Sequence, residues 1–69
     1  MEISARNALK GTVSEIKQGV VTDVISIDIG GGRTVVSSIT RDSAERLGLA
    51  VGKEVTAIIK ASDVMLAVD

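Results

Sequence analysis

The sequence predicts an all-β fold, a small five-stranded barrel carrying one short helix. Three observations point to it. Ten Val and eight Ile dominate a chain of 69 residues that has no Pro and no aromatic side chain, a composition rich in β-branched strand formers. Glycine-bearing turns separate short apolar runs, as between the strands of a small barrel. Only one stretch, DSAERLG, carries helix start and stop signals.

Thr12 to Ile16 is predicted as the first strand, and Gln18 and Gly19 turn it into the next. That second strand is the clearest. In VVTDVISIDI, Val20 to Ile29, the residues Ile25, Ile27 and Ile29 fall on one side and Val24, Ser26 and Asp28 on the other, the alternation of a half-buried strand. Gly30 to Gly32 ends it, and Arg33 with the run TVV begins a third strand after a glycine-rich turn. In DSAERLG, Asp42 is placed to cap a helix with Glu45 at N3, the reciprocal pattern of a capping box, and Gly48 to stop it. Ala44 and Leu47 form an apolar step that covers one end of the barrel. Gly48 and Gly52 return the chain to a fourth strand, Val55 to Lys60, with Val55, Ala57 and Ile59 on one face. Val64 to Val68 supplies a short fifth strand. Three strands, a helix and two strands are compatible with an OB-like barrel.

Composition narrows the function. With no Cys and no His, disulfides, the common zinc sites and most nucleophile or acid/base constellations are excluded, and an enzyme is not expected. So small a chain has a thin folding margin, and oligomerisation is the expected remedy. The formal charge is −1, with eight basic and nine acidic residues spread along the sequence, so long polyanions are not expected partners. No long apolar stretch or basic apolar leader is present, so neither a membrane partner nor secretion is expected and a cytoplasmic location is. Binding of single-stranded nucleic acid, common on OB-like barrels, requires aromatic platforms that this chain lacks. GGGR lacks the lysine-hydroxyl ending of a phosphate loop and precedes a strand rather than a helix, so it is assigned as a turn.

Two polar stretches remain. Ser4, Arg6 and Asn7 in SARN admit two accounts: a turn residue, a solvated charge and a local backbone bond, or a pocket for a compact anion, in which Arg6 brings charge and directed N–H donors. KASD, Lys60 to Asp63, is the counterpart. Continued extended backbone would put Lys60 and Ser62 on one side, although a lysine on an edge strand is also unremarkable. Thr40 and Ser43 sit beside the predicted helix start, where free N–H groups can meet an anion.

The sequence resembles the molbindins, small molybdate- or tungstate-binding proteins built from a single Mop domain. ISARNALKGTV carries most of the likeness, supported by KQGVVT, IGGGRTVVSSIT, DSAERLGL and VTAIIKASDVML. The resemblance covers essentially residues 1–69. It implies an OB-like barrel whose subunits exchange strands, a hexamer formed as a trimer of dimers, and storage or homeostasis of molybdate or tungstate without catalysis. It also implies a first kind of oxyanion site using Ser4, Arg6, Lys60 and Ser62, with Thr40 from a partner chain. A second kind uses the turn at Gly19 and Val20, with Asn7. No catalytic residue and no protein-ligated metal are implied. The alternatives are an oligomerisation or regulatory OB-like module without a bound anion and, less favoured, a nucleic-acid-binding barrel.

Overall fold

The computed structural model describes residues 4–69. Four strands form one antiparallel sheet in the order β3-β2-β1-β4. They are β1 (Asn7–Lys17), β2 (Thr22–Gly30), β3 (Arg33–Thr40) and β4 (Glu54–Ile59), with helix α1 (Arg41–Arg46) between β3 and β4 and a 3₁₀ turn at Ala61–Asp63. The sheet curls into a half-barrel over a core of Val13, Ile25 and Ile27, against which Ile16, Ile29, Ile39, Leu49, Val55 and Ala57 pack. The alternations read from the sequence therefore hold in β2 and β4.

β1 starts five residues earlier than predicted because it has two partners. Asn7 to Thr12 pair with β4, from Asn7↔Ile59 to Thr12↔Glu54. Thr12 to Lys17 pair with β2, across a register shift between Val13 and Glu15. At the changeover the strands press together: a Cβ on Gly11 would lie 2.6 Å from the Asp28 carbonyl oxygen and 2.7 Å from Ile27 Cγ2. Only a residue without a side chain fits there.

The β2–β3 hairpin turns through Gly31 and Gly32, both at positive φ (64° and 75°), the backbone that a two-residue hairpin of matching twist requires. The helix start departs from prediction. Thr40, the last residue of β3, is the N-cap in place of Asp42, and its Oγ1 accepts from the Ser43 N–H at 3.1 Å. The strand runs directly into the helix, so the cap falls two residues early and Ser43, not Glu45, occupies N3; the reciprocal capping box does not form. Asp42 lies in the first turn, pairing with Arg46 at 3.5 Å on the surface. Lys53 Nζ closes the other end, donating to the Leu47 carbonyl at 2.6 Å and the Gly48 carbonyl at 3.2 Å. Of the predicted apolar step only Ala44 is buried, whereas Leu47 is exposed.

The predicted fifth strand is not formed among the described residues. Val64 to Val68 carry no sheet pairing, and Val64, Met65, Leu66 and Val68 are exposed. The half-barrel is correspondingly open, with an apolar groove of about 480 Å³ bordered by Val13, Ile25, Val35, Ile39 and Leu49. No helix among the described residues is long and apolar enough to cross a membrane.

Candidate functional site

The predicted site residues gather at two ends of the sheet. At the first, β1–β4 pairing stops at Asn7↔Ile59, so Arg6 and Lys60 are the next residues on two adjacent antiparallel strands. SARN enters the sheet where KASD leaves it. Ser4, Arg6, Lys60 and Ser62 are all exposed there, and Asn7 is half-buried. Asn7 Nδ2 donates to the Ile59 carbonyl at 3.2 Å across 52 residues of sequence. The Asn7 side chain therefore pins the strand ends together rather than bonding to local backbone, and its second N–H remains available to a ligand.

Beyond Lys60 the extended backbone does not continue. Lys60 is the N-cap of the 3₁₀ turn, and its carbonyl accepts from the Asp63 N–H at 2.9 Å. The simple alternation that would have set Lys60 and Ser62 on one side is thus broken. Ser62 instead lies in the middle of that turn, exposed to solvent.

Gly19, Val20 and Thr40 lie at the opposite end. β1 runs eleven residues from Asn7 to Lys17, roughly 35 Å of extended chain, before the turn that carries Gly19 and Val20. Thr40 pairs with Thr22, the first residue of β2, and the Arg41 N–H donates to the Val21 carbonyl at 2.8 Å. The helix start and the β1–β2 turn are thereby one unit. Thr40 Oγ1 is engaged with Ser43, at 2.9 Å from its Oγ and 3.1 Å from its N–H. Holding that N–H requires only a Thr40 lone pair, which leaves its hydroxyl hydrogen free to redirect. Val20 is 93% exposed, an apolar side chain left uncovered by the described residues.

Two residues at this end were not singled out from the sequence. Asp23 is 3% exposed, and its Oδ1 accepts from the Gly19 N–H at 3.2 Å and lies 3.5 Å from Arg41 Nε. The period-two pattern of β2 contains the signal, since Asp23 falls in the same inward file as Ile25 and Ile27.

Chemically, the first end offers a guanidinium, an ammonium and two hydroxyls, with one carboxylate, that of Asp63, in the turn beyond Lys60. In one chain these cations stand in water, where screening leaves little attraction for a small anion. A second surface laid over them would desolvate them and strengthen every charge-assisted hydrogen bond. Among the described residues no group of three or more Asp or Glu is arranged to hold a metal ion.

Comparison with known proteins agrees over nearly the whole chain. The TOBE domain model matches residues 3–66. Molybdenum-pterin-binding protein 3 of Clostridium pasteurianum is 52% identical over 66 residues, 96% of this chain and 97% of the relative. Among solved structures, a molybdate-binding protein from Sporomusa ovata superposes with a TM-score of 0.91 at 42% identity, covering 97% of this chain and 98% of its own. The cytoplasmic molybdate-binding protein ModG, solved with molybdate bound, superposes with a TM-score of 0.84 at 44% identity, covering 96% of this chain and 53% of ModG.

Proposed function

The chain belongs to the TOBE domain family, among the molbindins built from Mop domains, and on that footing we propose that it binds molybdate or tungstate without catalysis, for storage and homeostasis in the cytoplasm. Residues 1–69 are one Mop domain. The observation that carries the site is the termination of β1–β4 pairing at Asn7↔Ile59, which leaves SARN and KASD side by side at one end of the sheet.

Molybdate is a tetrahedral dianion, and taking it out of water is costly unless charge and hydrogen bonds replace its hydration shell. In the first kind of site Arg6 and Lys60 balance the two charges and Ser4 and Ser62 donate to the oxygens. Thr40 reaches the same ligand only from another chain, since within one chain it sits at the far end of the sheet. The pocket is therefore completed where the Arg6 end of one subunit meets the Thr40 end of another. The second kind uses the amides of the Gly19–Val20 turn with the spare Asn7 N–H of another subunit, since within one chain the two lie at opposite ends of the sheet.

The assembly is a homo-oligomer, a hexamer arranged as a trimer of dimers. Two features support it: the open apolar groove of about 480 Å³ and the exposed apolar segment Val64 to Val68. Exchange of that segment between subunits supplies the fifth strand and closes an OB-like barrel. Bound dianions relieve the repulsion of clustered cations and stabilise the assembly by linkage.

Calorimetric titration of the assembled protein with molybdate, tungstate and sulfate in parallel tests the function. Uptake of molybdate and tungstate is expected. No heat and no retained anion with either would refute it.

A further inference from the structure

Building on the assignment of the Gly19–Val20 turn as the second oxyanion site, we propose that Asp23 is an internal competitor for that site, and that Arg41 sets how strongly it competes. Asp23 is buried behind the turn, 3% exposed, in the inward file of β2. Its Oδ1 takes the Gly19 N–H at 3.2 Å, the same donor that an oxyanion at the turn requires. An amide N–H has one hydrogen, so the carboxylate and a bound anion exclude one another there. A dianion on the neighbouring donors would also face a like charge a few ångströms away, in surroundings that screen it poorly.

Arg41 is the counterweight. Its Nε lies 3.5 Å from Asp23 Oδ1, is itself buried, and makes no hydrogen bond among the described residues. Its side chain is 40% exposed, so the guanidinium reaches from the carboxylate to the surface beside the turn. The backbone bond from Arg41 to Val21 fixes this arrangement. Arg41 offsets Asp23 without removing it from the Gly19 amide. The consequence is a second class of site weaker than the class built on Arg6 and Lys60.

Asp23→Asn and Arg41→Gln both break the same ion pair, which separates this role from a structural one. A contact that merely holds the turn would shift binding in the same direction in both variants. Competition shifts it in opposite directions. Asp23→Asn leaves only a neutral oxygen, which an anion displaces from the Gly19 N–H more readily than a carboxylate, and removes the like charge, so the weaker class tightens by about tenfold or more. Arg41→Gln exposes the full carboxylate charge, and that class weakens by about tenfold. The Arg6 class takes no donor from Gly19 and meets this end only through Thr40 of another subunit, so it moves less than the Gly19 class in either variant.

The test is molybdate titration of the assembled full chain, with each variant also made in an Arg6→Ala background to isolate the second class. Circular dichroism in urea verifies folding, and Asp23→Ser replaces the Asn variant if that one unfolds. Opposite shifts support the proposal. Parallel shifts, or none, with the Arg6 class intact overturn it alone. A parent protein that takes up no molybdate overturns the assignment of the site and this inference together.

Discussion

Replacing Gly11 by Ala tests the strand changeover directly. In most extended segments such a change is neutral or favourable, because Ala restricts the unfolded chain and gains about 0.4–1 kcal/mol. Here the new methyl would sit 2.6 Å from the Asp28 carbonyl oxygen, 2.7 Å from Ile27 Cγ2 and 3.1 Å from Ile29 Cγ2. The first of these is backbone of a paired strand, and Ile27 is 5% exposed in the core, so neither can swing aside. Relief requires β1 and β2 to separate locally, an overpacking cost of about 1–3 kcal/mol, which outweighs the entropic gain. The expected net loss is about 1–2 kcal/mol, or a Tm lower by roughly 10 °C for a domain of this size. Far-UV circular dichroism is the suitable assay, because a chain with no Trp, Tyr or Phe has no intrinsic fluorescence to follow. Parent and variant are compared at one protein concentration, since Tm in an assembly depends on it. A variant that melts at or above the parent temperature would refute the close packing at the changeover.

Other substitutions probe the remaining links. Arg6→Ala is expected to weaken molybdate binding by about 2 kcal/mol or more, because it deletes a charge-assisted donor from a desolvated pocket, and equal affinities by titration would contradict that role. Sedimentation at low micromolar concentration is expected to show an assembly, and a stable lone species of 7.1 kDa would oppose it. Thr40→Ala removes the helix cap and is expected to cost about 1 kcal/mol in urea unfolding, while Thr40→Ser restores most of it; indistinguishable midpoints for all three proteins would argue against Thr40 as the cap.

Most of the sheet was legible because period-two alternation acts locally: Ile25, Ile27 and Ile29 announce β2 without reference to anything else. The first half of β1 was not. NALKG has no alternation of its own, and it becomes strand only because β4, some fifty residues later, lies beside it. The helix cap was misplaced for a related reason. Asp42 and Thr40 are both good capping residues, and the choice was made by β3 continuing to Thr40 without a loop. Val64 to Val68 has the pattern of a strand, yet a strand also needs a neighbour, and among the described residues it pairs with neither open edge of the sheet, β3 or β4. As for the site, SARN and KASD were visible as polar stretches beside apolar runs, whereas Asp23 was hidden as one carboxylate in an otherwise apolar file. Its burial depends on Gly19 and Arg41 converging on it from two other elements.

The order in which the sheet can assemble follows from the pairing of Asn7 with Ile59. The β1–β2 and β2–β3 hairpins join neighbours in sequence and close short loops, which are quick to form. Joining Asn7 to Ile59 closes a loop of 52 residues, with a larger entropic penalty and a slower search. The end proposed as the anion cradle is thus expected to join late on the way to the native state, and an anion bound across it would tie together the two strands that are farthest apart in sequence.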